Sequence, residues 1–320
     1  MKKTYLYLTG GLGNQLFQLS ACLYNSKYNY DPLIIDTQIG NPRLNALGMS
    51  ELESLQFPSS IKVLKQRRFN YIQQRIASYI LRSGLKLSEN NLEYLIHALI
   101  NFIAIFMFSF RYKSFVQIFR SNNLGFIRIE PPRASRILIG YFQSYKYANE
   151  LEVYNTIKLM FSKLDSGVYS KFRVLSQKER PLVVHIRLGD YRKEKNFGIV
   201  SKSYYENALK YQLENYDYGK IWLFSDEMQN CLEFIPIEHR KKVRILDEPS
   251  ISSAELLRIM SLGHGYIIAN STLSWWAAFL SQNTNGRVIA PDKWFNLLDD
   301  PLDLIPDSWM RLPAHSIEIN

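Results

Sequence analysis

Cysteine is almost absent: the 320-residue chain carries only Cys22 and Cys231, and neither belongs to a CxxC pair. Two isolated thiols cannot build a disulfide framework, so a reducing compartment is expected. Histidine is sparse as well. Its five copies are scattered, with no two at metal-ligand spacing, and no metal requirement is expected. Internal repeats and low-complexity tracts are missing. Met1-Lys2-Lys3 opens as a signal peptide does, but the apolar stretch behind it stops at Gly10, too short for an h-region. A cytoplasmic protein is the expectation. A clean membrane span is lacking too: the most apolar stretch, Leu92–Phe110, contains Glu93, His97 and Asn101, whereas a crossing needs about 20 apolar residues. What is present is 47% hydrophobic and 21% charged residues, the balance of a globular chain, long enough for one large domain or two ordinary ones.

Acidic residues are scarce in one half only. The formal net charge is +10, yet residues 1–175 hold 22 Lys/Arg against 10 Asp/Glu, and residues 176–320 hold 17 against 19. Most of the excess lies in 56–150, with 14 basic and 4 acidic residues. Such a patch suits nucleic acid, an anionic membrane surface or an anionic substrate, and its surroundings must decide. Within it, Ile61, Leu64, Ile72, Ile76 and Ile80 recur at helical spacing, with Arg67, Arg68, Gln74, Arg75 and Arg82 on the other face. The apolar Leu92–Phe110 follows. The stretch of about 60–120 therefore reads as a helical, basic and apolar insert. Either it packs on the N-terminal domain, or its rings dip into a membrane interface while Arg67, Arg68, Arg75, Arg111 and Arg120 meet anionic headgroups.

Outside that stretch the pattern is α/β. Strand formers at Thr4–Leu8 run into Gly10-Gly11-Leu12-Gly13-Asn14, a helix over Gln15–Ser26 and a strand ending at Asp36. A second series begins with the apolar strand Pro181–Arg187. It continues with a helix over Ser203–Tyr216, a strand at Lys220–Phe224, a helix at Ala254–Ser261 and a strand at Gly265–Ala269, and closes with a helix at Ser271–Leu280 and a strand at Arg287–Ala290. Near-continuous apolar strands alternating with helices predict parallel sheets covered on both faces. Two series predict two Rossmann-like domains, 1–170 and 180–320, with a linker near Asp165–Arg180.

Four segments are candidates for chemistry. Gly10–Asn14 follows a strand and opens a helix, where glycine lets the backbone approach a phosphate and free N–H groups face it. Leu16 replaces the third glycine of a dinucleotide fingerprint, and no Lys-Ser/Thr follows as in a P-loop. A simple tight turn is the other reading. His185-Ile186-Arg187-Leu188-Gly189-Asp190-Tyr191 sits at a strand's C-terminal end, where ligands of open α/β sheets bind. There Arg187 can grip a diphosphate bidentately or pair with Asp190. Asn270-Ser271-Thr272-Leu273-Ser274 starts a helix after a strand, offering caps and N–H groups to an anion. Trp275 and Trp276 read as core. Ser225-Asp226-Glu227 either hydrogen-bonds a sugar or forms a solvated turn.

These pieces together resemble the α-1,2-fucosyltransferase family, glycosyltransferase family 11. The residues that carry the resemblance are Gly11–Gln18, Gly140–Ser144, His185–Tyr191, Ser203-Tyr204-Tyr205, Phe224-Ser225-Asp226, Asn270–Ala277, Ala290–Phe295 and Ser308-Trp309, all in order along the chain. The stretch 61–120 lies outside it. The resemblance implies a GT-B fold, two Rossmann-like domains facing across a cleft, with an inverting, metal-independent transfer of L-fucose from GDP-fucose. The acceptor implied is a hydroxyl, galactose O2 of a glycan, in surface polysaccharide or O-antigen synthesis. It implies donor contacts at Gly11, Gly13 and Asn14, at His185 beside the ribose or base, at Arg187 on the diphosphate, at Glu255 on guanine, and at Asn270, Ser271, Thr272 and Ser274. Arg187 and Asp190 are the catalytic expectation, with Glu194 as a second candidate base. No cofactor is implied. The partners expected are the donor and a glycan acceptor that is lipid-linked in one reading, with peripheral contact at the inner membrane face through 61–120 and no nucleic acid. The chain departs from the family at Leu188, where the second Arg of HxRR would stand. The rivals are a GT-B enzyme for another nucleotide sugar and a basic nucleic-acid-binding module.

Overall fold

The computed structural model describes residues 2–29, 33–42, 50–59, 61–64, 91–121, 123–130, 133–162, 164, 167–192, 196–246, 251–281, 287–314 and 316–317. The chain forms two compact units. The first is Met1–Lys163 with Pro301–Leu304, and the second is Leu164–Asp300 with Ile305–Asn320.

In the first unit, β1 (Thr4–Gly10), β2 (Leu33–Pro42), β3 (Lys62–Leu64), β4 (Val116–Arg120) and β5 (Ser135–Ile139) form a parallel sheet ordered β3-β2-β1-β5-β4. Central β1 is buried from Thr4 to Thr9, which is why it reads as a continuous apolar strand. It ends at Gly10, whose φ of +73° suits glycine and where a Cβ would meet Asn14 Nδ2 at 2.5 Å. Helix α1 (Leu12–Asn29) follows at once. The order reverses between β1 and β5, so the segments after these two strands, Gly11–Gln18 and Gly140–Ser144, share one switch point. Gln143 Nε2 donates to Asn14 Oδ1 there at 3.0 Å.

The stretch expected as a helical insert is only partly helical. Lys62–Leu64 and Val116–Arg120 are sheet strands, and among the described residues between them α2 (Asn91–Tyr112) covers the sheet. Three to five residues of strand within an apolar and basic run carry no legible period of two, so helical spacing misled there. Arg67, Arg68, Arg75 and the 72–80 periodicity lie outside the described residues. The two phenylalanines of the run divide: Phe108 is buried with Ala104 and Tyr112 against Tyr5, Tyr7 and Ile137, whereas Phe106 is exposed. Arg120, expected to face headgroups, is half-buried, and that burial lowers its pKa. The segment Pro301–Leu304 completes this unit through Asp303, whose carboxylate accepts from Ser144 Oγ at 2.9 Å and Phe126 N at 3.1 Å.

Helix α3 (Leu151–Ser162) closes the first unit, and α4 (Gly167–Glu179) opens the second, occupying the stretch read from its charge as a linker. The second unit then runs β6 (Leu182–Ile186), β7 (Ile199–Val200), α5 (Lys202–Asn215), β8 (Ile221–Ser225), β9 (Val243–Ile245), α6 (Ser253–Met260), β10 (Gly265–Ile267), α7 (Thr272–Leu280), β11 (Val288–Pro291), β12 (Met310–Leu312) and β13 (Ser316–Ile317). Six strands form a parallel sheet ordered β12-β11-β10-β6-β8-β9, and β13 pairs antiparallel with β7. Renumbered within the unit this is the 3-2-1-4-5-6 order of the dinucleotide-binding fold, whose switch point lies between β6 and β10.

Candidate active site

That switch point is where the two charged and polar segments of the second unit end up. β6 delivers His185 and Arg187, and β10 delivers Asn270 and Ser271. Successive side chains of a strand alternate in direction. Leu182, Val184, Ile186 and Leu188 enter the core that α5 covers, so Val183, His185 and Arg187 belong to the opposite face. Leu188, at the second arginine position of the family motif, is fully buried among these apolar residues. Leucine suits that apolar position, and the chain carries one positive charge fewer than the motif at this strand end.

Arg187 is held. Its Nε lies 3.2 Å from Asp226 Oδ2, with the two side chains 16% and 21% exposed, and Asp226 Oδ1 accepts from Leu188 N at 2.9 Å. The guanidinium carbon stands 5.4 Å from the centre of the Tyr191 ring. Glycine at 189 makes room for this carboxylate, because a Cβ would meet Asp226 Oδ2 at 2.6 Å. Asp226 thus has a specific partner, which the sequence left undecided between a sugar contact and a solvated turn. The signal was one of register. β6 and β8 pair with Ile186 opposite Ser225, so the next residue of each strand meets the other.

His185 is 4% exposed, and its Nδ1 has no hydrogen-bond partner. Burial, assisted by the neighbouring Arg187 charge, pushes its pKa down to about 3, so the imidazole is neutral at physiological pH. Its backbone carbonyl accepts from Tyr205 Oη at 3.1 Å, and Tyr204 Oη donates to Ile268 O at 2.8 Å. The Tyr204-Tyr205 pair therefore pins the ends of β6 and β10, which explains that motif structurally.

Asn270 is 2% exposed, and its Nδ2 donates to Phe197 O, Gly198 O and Trp294 O at 2.9, 3.3 and 3.1 Å. Its own carbonyl accepts from Tyr191 Oη at 2.9 Å. The amide nitrogen is spent on joining loops, while Oδ1 is buried without a hydrogen-bond partner. Ser274 is also turned inward, donating to Ser271 O. Ser271 is the N-cap of α7 but makes no side-chain cap bond, which leaves the first-turn N–H groups uncapped by it. Those groups and the partial positive charge of the helix start suit an anion. Glu255 is half-buried and closes a capping box, its carboxylate 3.5 Å from Ser252 N and 3.4 Å from Ser252 Oγ. Asp190 begins a short 3-10 turn, Asp190–Arg192; its side chain and all of Glu194 lie outside what is described.

In the first unit the glycine turn already holds an anion. Leu12 N, at the start of α1, donates to the carboxylate of Glu51, a residue 8% exposed and 39 positions away. Gln15 Oε1 accepts from Ser50 Oγ and Leu52 N, fixing the same segment. A diphosphate at Gly11 and Gly13 would have to share that helix start with a carboxylate, a like-charge arrangement. Asn14 is engaged with Gln143. No local pattern announces Glu51, because the contact is made only by folding. Among the described residues there is no group of three or more His, Cys, Asp or Glu that could hold a metal ion, and no helix is long and apolar enough to cross a membrane.

Known proteins resemble this chain in sequence or in fold. An α-1,2-colitosyltransferase of Escherichia coli is 24% identical over 312 residues, covering 95% of this chain and 97% of its own. The O-antigen biosynthesis glycosyltransferase WbnK of Escherichia coli is 31% identical over 152 residues, 46% of this chain and 49% of that one. Among solved structures, the fucosyltransferase NodZ from Bradyrhizobium superposes with a TM-score of 0.51 at 13% identity, covering 91% of this chain and 95% of that one. The likeness to NodZ is one of fold, and two consecutive Rossmann-like units of this kind are the composition of the GT-B class. The sequence model described as Glycosyl transferase family 11 matches residues 4–301, running through the 61–120 stretch that the motifs alone did not reach. The chain belongs to glycosyltransferase family 11.

Proposed function

We propose that this glycosyltransferase moves L-fucose from GDP-fucose to galactose O2 of a glycan, with inversion and without a metal. The observation that carries the reading is the convergence at the second unit's switch point of Arg187, oriented by Asp226, and the uncapped start of α7. Donor cleavage builds negative charge on the leaving diphosphate. A fixed guanidinium and helix N–H groups stabilise that charge without reorganising, which is the most effective form of such help. Gly11, Gly13 and Asn14 fit this reading less well than Arg187, Ser271 and Thr272, because Glu51 occupies the first helix start. Asp190 and Glu194 remain the proposed bases for the acceptor hydroxyl, a contribution of about 10²–10⁴-fold.

The O-antigen relative supports an acceptor in surface-polysaccharide synthesis; a lipid carrier at the inner membrane face is part of the proposal and does not rest on that relative. The colitosyltransferase relative, similar along nearly the whole chain, favours colitose as the second donor reading. Calorimetry with GDP, UDP and CMP, followed by transfer assays with GDP-fucose and GDP-colitose on a galactoside, separates the readings. Selective GDP binding and a fucosylated product, formed undiminished in excess EDTA, are expected. Loss of turnover in EDTA restored by Mn²⁺ would contradict the metal-independent part. A colitosylated product would replace the donor.

Guanine recognition by Glu255 is separable from its capping box. Glutamine at that helix position still caps, but its amide no longer offers a carboxylate to the N1 and N2 donors of guanine. Glu255→Gln is therefore expected to weaken GDP binding by about 1.5–3 kcal/mol, the range for a hydrogen bond to a charged group, with an unchanged melting temperature. Glu255→Ala should lose both. Full GDP affinity in Glu255→Gln would leave the residue a cap and nothing more.

A further inference from the structure

We propose that the outward face of α2 is a docking surface that lies flat on an anionic lipid interface. The helix is committed on one side only. Ala104, Phe108 and Tyr112 are buried on the sheet with Val116, Ile137 and Ile139. Leu95, Leu99, Phe102, Phe106 and Phe110 follow at steps of four, three, four and four, which places them on one ridge of the opposite side. The rings stand out rather than fold back: Phe102 is 69%, Phe106 71% and Phe110 82% exposed, and Phe115, just beyond the helix, is exposed too. A contiguous apolar ridge of this kind marks an interaction site, since soluble surfaces scatter their apolar side chains singly.

Charge selects the occupant. Between Glu93 and Glu130 the sequence has no Asp or Glu, while Arg111, Lys113, Arg120 and Arg128 are basic. Lys113 is exposed, and Arg111, in the last turn of the helix, is half-buried. An acid-free apolar ridge ending in cations complements anionic headgroups over acyl chains. Because the inner face is held by the sheet, only the outer ridge can enter the lipid, and no described helix is long and apolar enough to cross. With Arg120 half-buried, few cations are available, so apolar insertion dominates and salt weakens the contact without abolishing it. None of this depends on which nucleotide sugar is the donor.

The test is flotation of the full chain with phosphatidylcholine vesicles, with and without phosphatidylglycerol. The wild type is expected to float with the anionic vesicles and less with the neutral ones. The triple variant Phe102→Ser/Phe106→Ser/Phe110→Ser should partition about tenfold or more weakly, since each ring forfeits its apolar burial, at an unchanged melting temperature. Phe108→Ser, on the buried side, should lower the melting temperature and so marks the core response. The proposal fails if the wild type does not float, or if the triple variant floats equally well. It fails also if the triple variant melts early as Phe108→Ser does, which would show that the chain itself covers the face. Conversion of a wild-type dimer to monomer by the triple substitution, seen by light scattering, would assign the face to a second copy instead.

Discussion

Arg187→Ala is expected to reduce transfer below detection while leaving the fold intact. The side chain lies beyond the end of β6, outside the core, and its removal leaves Asp226 still bonded to Leu188 N. The cost falls on chemistry. Removing one neutral donor from a developing oxyanion typically forfeits about 10²–10³ in kcat, and a fixed cation on a diphosphate contributes more. Arg187→Lys should recover little. A lysine cannot both keep the Nε contact to Asp226 and grip two phosphate oxygens, since it carries one point charge where arginine carries a fork. Single-turnover transfer from the donor, with melting temperature as control, reads the effect. Near-wild-type turnover in either variant would remove Arg187 from the leaving-group role.

Asn270→Leu is expected to have the largest effect on stability. The substitution keeps size but deletes the amide that joins Phe197 O, Gly198 O and Trp294 O in a buried position. Each carbonyl left without a donor away from water costs about 1–3 kcal/mol, so a loss of about 3 kcal/mol or more is expected in denaturant titration. Activity should fall with it, because the Asn270 backbone carbonyl also anchors Tyr191, whose ring lies beneath the Arg187 guanidinium. Asn270→Asp separates the parts: it keeps the shape and removes the donor, and a carboxylate facing three carbonyls should be at least as costly. Unchanged stability in both variants would show that water replaces the amide without loss.

The course of the chain was largely legible. Apolar runs at Thr4–Leu8, Pro181–Arg187 and Gly265–Ala269 read as buried strands alternating with helices, and each run does hold a strand. The short strands at Lys62–Leu64 and Val116–Arg120 were not legible, because each is too brief to display alternation and is stabilised by the neighbour it pairs with. The site was legible by residue type but not by role. Asn270, Ser271, Thr272 and Ser274 read as one anion-binding set, yet burial turns Asn270 and Ser274 to the loops and the helix.

The sequence by itself determined the α/β class, the two strand series, the location of the polar segments after β6 and β10, and the kinship with glycosyltransferase family 11. Those features are local: side-chain periodicity and residue type are properties of a few neighbours along the chain. Only the tertiary structure decided which strands neighbour which, and hence that β6 and β10 flank the switch point. The same holds for Asp226 meeting Arg187, for Glu51 reaching the start of α1 from 39 residues away, and for Phe108 turning in where Phe106 turns out. Each of these depends on register and packing between segments distant in sequence, and no local pattern encodes a contact that exists only once both segments are in place.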